Sequence, residues 1–227
     1  MFERLEMLFS PLLLEKFYDT KILIVGVGGV GGACFEALVR MGIKNITIID
    51  GDTFSISNLN RQLLSNINNI GHSKVKEAYL RAKSINPSIN VNYYELFLNE
   101  ANIDLLSDME YDYIIDCCDT ITTKLLLIKI ALNNKVRIIS CMGTGNRVDP
   151  TKLEITNIWN TSYDPLARIM RKLLREAKIS DKIMVLCSNV KPIHIESREP
   201  GSTAFVPNVA GFIIASYVFN DIINDGK

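Results

Sequence analysis

Lys21-Ile22-Leu23-Ile24-Val25-Gly26-Val27-Gly28-Gly29-Val30-Gly31 decides the fold. Lys21–Val25 is apolar without polar alternation, as a strand buried on both faces requires. From Gly31 to Met41 the apolar residues fall at helical spacing, and Gly42 stops the run. Glycines between a buried strand and a helix let the backbone approach a phosphate. The helix start offers unpaired N–H groups and the positive end of a dipole. Gly26, Gly28, Gly29 and Gly31 are therefore candidate nucleotide-binding residues, and a purely structural glycine turn is the plainer alternative. Ile46–Ile49 is a second buried strand that delivers Asp50, a carboxylate able to accept from ribose hydroxyls. This loop alone does not distinguish a dinucleotide from ATP.

The alternation continues outward. Ser73 to Ile85 reads as a helix with Ser73 as N-cap, closed by Asn86-Pro87. Ile89–Tyr94 and Tyr113–Ile115 read as strands, about 122–133 as a helix, and Arg137–Cys141 as another strand. Past Gly143-Thr144-Gly145 come strands at Leu153–Ile158 and Ile183–Cys187, a helix at Pro165–Lys178 between them, and a last helix at about 208–223. The pattern predicts an α/β fold: a Rossmann-like, mostly parallel sheet with helices on both faces, extended by C-terminal strands. Two strands and one amphipathic helix make no second core. Residues 1–227 are expected to form one domain, with a nucleotide-binding part at about 21–141 and a substrate-side extension at about 142–227.

Composition narrows the class. The chain has 227 residues, 48% hydrophobic and 22% charged, which excludes a disordered tail, a collagen and a disulfide scaffold. Lys+Arg and Asp+Glu number 25 each, so any polyanion must meet a local patch. Cys34, Cys117, Cys118, Cys141 and Cys187 lie in apolar runs without C-x-x-C spacing, which predicts reduced thiols, no structural zinc and a cytoplasmic chain. Met1 to Ser10 carries Glu3 and Glu6 and does not read as a secretory signal. The apolar stretch Phe205 to Val218, about 14 residues, is too short for a bilayer, so a soluble protein without a membrane partner is expected.

Beyond the glycine loop, Asp50-Gly51-Asp52 leads to Ser57-Asn58-Leu59-Asn60-Arg61-Gln62 and then Gly71-His72-Ser73-Lys74. A dinucleotide site needs no cations past its pyrophosphate cradle, yet Arg61 and Lys74 follow the ribose carboxylate. Lys74 falls in the first turn of a helix, where the dipole repels a cation, so an anion is expected between it and the glycine loop. A solvated surface lysine is the bland alternative. Asp116-Cys117-Cys118-Asp119 ends the fourth strand, at the edge where such sheets bind ligands. Asp119 beside triphosphate oxygens would hold Mg²⁺; it could also cap the following helix.

G-x-G-G-x-G, D-x-D, S-N-L-N-R-Q, G-x-S-K and D-C-C-D together resemble the ubiquitin-activating-enzyme-like (ThiF/MoeB) adenylating superfamily. The resemblance implies attack of a carboxylate on the α-phosphate of Mg-ATP, giving an acyl adenylate and pyrophosphate. It places Asp50 on the ribose, Asp52 beside it, Asn58, Arg61 and Lys74 on the phosphates, and Asp119 on the metal. Arg4 matches an arginine that such homodimers lend to the partner's site; a charged, frayed terminus is its bland reading.

Ile85-Asn86-Pro87, Asp149-Pro150-Thr151, Asp164-Pro165-Leu166-Ala167-Arg168 with Leu174-Arg175, and Gly201-Ser202 with Phe205-Val206-Pro207 further resemble the tRNA threonylcarbamoyladenosine dehydratase family. That resemblance implies an ATP-dependent enzyme. It activates the carboxylate of threonylcarbamoyladenosine beside the tRNA anticodon, and nitrogen attack within the substrate closes a ring. One departure is visible: the family pattern expects a glutamate shortly after Ser188, and Asn189-Val190-Lys191-Pro192 stand there.

Arg168, Arg171, Lys172, Arg175 and Lys178 recur at helical spacing as a cationic stripe, opposite Leu166, Ile169, Met170, Leu173 and Leu174. Contact with tRNA is the favoured reading, against a merely solvated face or a carrier protein's acidic surface. Cys187 is the best of the poor nucleophile candidates, with a core thiol the plainer alternative, and His72 and His194 have no nameable partner. The rivals are adenylation of a sulfur-carrier protein's C-terminal glycine, an NAD(P)-dependent oxidoreductase, and a silent scaffold; a sulfur-relay partner is left open.

Overall fold

A computed structural model of the chain describes residues 2–197 and 199–224. Its strands are β1 (Lys21–Val25), β2 (Asn45–Ile49), β3 (Asn90–Tyr94), β4 (Tyr113–Asp116), β5 (Arg137–Cys141), β6 (Leu153–Asn157) and β7 (Met184–Ser188). They form a seven-stranded sheet in the order β3-β2-β1-β4-β5-β7-β6. Neighbours are parallel except β6, which pairs antiparallel with β7 at the edge. The helices are α1 (Glu3–Glu6), α2 (Pro11–Asp19), α3 (Gly29–Arg40), α4 (Lys74–Ile85), α5 (Ile121–Asn134), α6 (Pro165–Glu176) and α7 (Phe205–Asn224).

Side-chain alternation along β1 explains its unbroken hydrophobicity. Ile22 and Ile24 join the core under α2, α3, α4 and α7. Leu23 and Val25 face the opposite way, into a core with Leu127 and Ala131 of α5. Helix α6 covers the C-terminal strands through Ala167, Met170 and Leu174, packed with Val185 and Cys187. The sheet is thus buried on both faces, as the sequence predicts.

Two helix boundaries differ from expectation for physical reasons. Helix α7 starts at Phe205 rather than 208, since Pro207 lies in the first turn, where its missing N–H would have no partner. It runs for 20 residues, beyond the expected 208–223 at both ends and past the apolar stretch of about 14 residues, and by length and composition could cross a membrane. Most of it is buried, with Gly211 so close to α3 that a Cβ there would meet the Val30 carbonyl at 2.3 Å. Helix α6 ends at Glu176, because Lys178 has turned left-handed at φ +58°. Helices α1 and α2 were not foreseen; Leu14 and Phe17 anchor α2, with Phe17 edge-on to Phe219 at 4.8 Å.

Strand order reverses between β1 and β4: β2 and β3 lie on one side, β4 and β5 on the other. The carboxyl ends of those two strands therefore splay their loops apart and open a crevice between them.

Candidate active site

A cleft of about 600 Å³ occupies that crevice. One end is lined by Gly26, Gly28, Gly29, Asp50, Arg61 and Lys74, the other by Gly143 to Arg147, Pro165, Leu166, Pro192 and Gly201. Asp119 and Thr120 line it as well.

The glycines divide their work. Gly26 turns at φ +89°, and a Cβ would sit 2.7 Å from the Cys117 carbonyl group. Gly31 approaches so closely that a Cβ would stand 1.8 Å from the Gly26 oxygen. Around Gly28 the nearest atom to such a Cβ is 3.7 Å away, leaving the space a phosphate needs at the start of α3.

Asp50 is locked from both sides. Its Oδ2 accepts from the Val27 N–H at 2.6 Å and its Oδ1 from the Asp52 N–H at 2.8 Å. Burial raises its pKa, against the pull of those two bonds and of Lys74. Each oxygen keeps a lone pair for a ribose hydroxyl. Lys74 is only 5% exposed, and its ammonium pairs with Asp52 Oδ2 at 2.8 Å. The anion beside the first-turn lysine is thus Asp52, more than half exposed at its own side chain and able to share the cation with an incoming phosphate. The structure brings Asp50, Asp52 and Lys74 together as one charged group.

Arg61 is half-buried, with Nη1 bonded to the Ser57 carbonyl at 2.6 Å and to Asn60 Oδ1 at 3.0 Å. Asn58 is buried and spends its Oδ1 on the Ser55 N–H at 3.0 Å, shaping the loop that carries Arg61. Helix α7 braces the same loop through Asn208 Nδ2, 3.0 Å from the Arg61 carbonyl. Asp119 is exposed in the cleft, and Thr120, not Asp119, holds the cap position of α5. Its carboxylate has no hydrogen-bond partner or ion pair among the described residues. One open carboxylate suits Mg²⁺, which binds through one or two carboxylates plus substrate phosphates and retained waters.

Beneath the cleft lies a group that sequence reading missed. Lys124 and Asp116 are both fully buried, with Nζ 3.0 Å from Oδ2. Lys124 also donates to the Cys141 carbonyl at 2.7 Å and the Ser140 hydroxyl at 3.4 Å. Burial pulls the lysine pKa down most strongly, but the charge and hydrogen bond of Asp116 together with the neighbouring Cys118 and Cys141 outweigh it, and the ammonium is held above its ordinary value. A lysine eight residues past an aspartate gives no such signal by itself. Arg147 was missed too: it donates to the carbonyls of Gly143 (3.0 Å) and Val190 and reaches Asp164 at 3.5 Å. Asp164 in turn accepts from Gly143 N and caps α6 at Ala167 N. At the base end, Leu96, Phe97 and Leu98 form an apolar wall, with Phe97 against Gly51.

The remaining candidates separate. On α6, Arg168, Lys172 and Arg175 are exposed, while Arg171 is half-buried and donates to the carbonyls of Thr161 (3.0 Å) and Ile158. Ile169, expected on the buried face, is 40% exposed. Arg175 lies over Trp159, and Lys172 reaches Glu176. Arg4 is exposed on α1 and does not line its own chain's cleft. Burial pushes the Cys187 thiol up to about 11 and raises Cys117 and Cys118 further, which leaves little thiolate. His72 is held by Glu77 at 2.9 Å.

The ThiF family model matches residues 2–173. The chain belongs to the ThiF family. It is 34% identical to the tRNA threonylcarbamoyladenosine dehydratase of Bacillus subtilis over 99% of this chain and 95% of that protein. Against the Escherichia coli enzyme it is 35% identical, the match covering 74% of this chain and 63% of that protein. The E. coli dehydratase structure in complex with AMP superposes with a TM-score of 0.92 at 29% identity, covering 97% of this chain and 93% of the other. The same enzyme in complex with ATP gives 0.90 at 30% identity. These likenesses place the chain among the threonylcarbamoyladenosine dehydratases of this ThiF family.

Proposed function

We propose that this protein is an ATP-dependent tRNA threonylcarbamoyladenosine dehydratase. The observation that carries the reading is a single cleft with two differently built ends, a glycine-and-cation nucleotide end and a second end framed by Arg147 and α6. One end takes ATP, the other the modified adenosine, and the reacting groups meet between them.

ATP lies with its ribose on Asp50 and its phosphates along Gly28 and Gly29, facing Arg61 and Lys74. A carboxylate oxygen of the substrate attacks the α-phosphorus, the bond to the bridging oxygen breaks, and pyrophosphate leaves. Arg61 and Lys74 stabilise the charge that develops on the phosphates. Asp119 would hold Mg²⁺, which neutralises triphosphate charge when bound. A substrate nitrogen then attacks the activated carbonyl carbon, expels AMP and gives up its proton to solvent. The net change removes the elements of one water from the substrate.

In this reading residues 1–227 form one adenylating unit, cytoplasmic and homodimeric, with Arg4 serving the partner's cleft. Support for the dimer comes from the exposed apolar residues Met7 and Leu8 in the turn between α1 and α2, Leu12 on α2, and Ile56 and Ile67 on the segment between β2 and α4. Exposed Arg168, Lys172 and Arg175 would meet tRNA phosphates. Mass spectrometry of tRNA nucleosides after incubation with ATP tests the reading: threonylcarbamoyladenosine should lose the mass of one water while AMP and pyrophosphate appear. Unchanged tRNA together with pyrophosphate exchange that depends on a sulfur-carrier protein would establish the rival activity instead.

A further inference from the structure

Tyr163 lies beside the cleft's second end without lining it. It precedes Asp164, and Pro165 and Leu166 beyond it line the cleft. The ammonium of Lys191 lies 6.0 Å from the Tyr163 ring centroid, and Lys191 precedes Pro192, another lining residue. The residue is left 56% exposed. Its backbone is left-handed, φ +57°, a region bulky side chains rarely adopt. Among the described residues, the other non-glycine residues with positive φ are Lys135 and Lys178, at the ends of α5 and α6, and Asn146 inside the cleft. Tyr163 is the aromatic one. Its surroundings hold it there: Asp164 is committed to Gly143 and to the α6 cap, and Arg147 reaches the Tyr163 carbonyl at 3.5 Å. A strained backbone that presents a half-solvated ring recovers little apolar burial, so the arrangement does not serve folding.

We propose that Tyr163 and Lys191 form a stacking platform for a nucleotide flanking the substrate adenosine. The inference rests on the reading that the substrate is a nucleoside within tRNA. Such a nucleoside is one unit of a polymer, and its neighbours must cross the rim when it reaches the cleft. Single-stranded RNA loops are recognised by bases stacked on aromatic rings, with cations on the adjoining phosphates. Tyr163 supplies the ring and Lys191 the cation. Arg168, exposed in the first turns of α6, is a further cation five residues on from Tyr163.

Steady-state cyclisation kinetics with tRNA, and ATP affinity by calorimetry, test this on Tyr163→Gly, Tyr163→Phe and Lys191→Gln. Glycine suits the left-handed backbone, so Tyr163→Gly removes the ring while relieving strain, and a thermal melt confirms that it folds. Its KM for tRNA should rise roughly 5- to 100-fold, the loss of one base stack, with the effect in KM rather than kcat and with ATP affinity unchanged. Tyr163→Phe should keep the wild-type KM. Lys191→Gln should reduce the salt slope of tRNA binding by roughly 0.7 to 0.9. A wild-type KM in Tyr163→Gly, with the parent enzyme cyclising tRNA normally, overturns the platform alone. A parent protein inactive on tRNA overturns both the platform and the reading beneath it.

Discussion

Lys74 sits where the α4 dipole repels it, and its ion pair with Asp52 explains how the fold tolerates that position. The pair also holds the ammonium at the cleft that the glycine loop lines. Lys74→Ala and Arg61→Ala should each lower kcat by on the order of 10²–10³-fold, as loss of one preorganised charge at a developing anion does. Near-normal turnover in both would remove the phosphate assignment. The glycines, Asp50 and Lys74 were legible in sequence because a strand, a tight turn and a helix start fix their positions locally. Lys124 was not, since its partners Asp116, Ser140 and Cys141 meet it only after β4, β5 and α5 pack together. Lys124→Met leaves Asp116 buried and uncompensated, and should cost about 3–5 kcal/mol in urea unfolding. Lys124→Met combined with Asp116→Asn removes both charges and should cost less than the single change; a double variant that costs more would mean the pair is not acting as a charge pair.

At the scale of elements, periodicity located the strands well and the helix ends less well. A buried strand declares itself by an unbroken apolar run, whereas the start of α7 depended on Pro207 finding a place in the first turn. Spacing along α6 placed five cations on one face, but spacing carries no information about carbonyls from another segment. Arg171 is claimed by Thr161 and Ile158, and Lys178 lies beyond the helix end. Three exposed cations, Arg168, Lys172 and Arg175, remain on α6 to meet phosphates. Each contact contributes roughly −0.7 to −0.9 to the log–log salt slope, so α6 should supply about −2 to −3. Changing Arg168 and Arg175 together to Gln should flatten the slope by about 1.5. Arg171→Gln should leave the slope nearly intact and lower the unfolding midpoint, since its hydrogen bonds hold α6 to the preceding segment. The reverse pattern in a salt series of tRNA binding would return Arg171 to the interface.

The whole molecule joins the two ends of the cleft through elements distant in sequence. Helix α7 braces the arginine loop through Asn208, and Arg147 ties the loop after β5 to the segment after β7. The C-terminal extension is therefore part of the site, which a nucleotide motif confined to the first half of the chain does not reveal. Arg4 poses the remaining question at this scale, because its own chain gives it no place in the cleft. If a second copy brings Arg4 to the neighbouring cleft, each complete site draws on both chains. Arg4→Ala alone and Lys74→Ala alone should then both be slow. A mixture of the two, allowed to exchange subunits, contains heterodimers in which one cleft has both its own Lys74 and the partner-supplied Arg4. With random exchange about half the dimers are mixed and one site in each is intact, so activity should recover to roughly a quarter of wild type, as expected when groups acting as one unit are restored together. The assay is turnover of the mixture against the sum of its separate components, with exchange confirmed by differently tagged chains. Additive rates despite confirmed exchange would place Arg4 outside the partner's site.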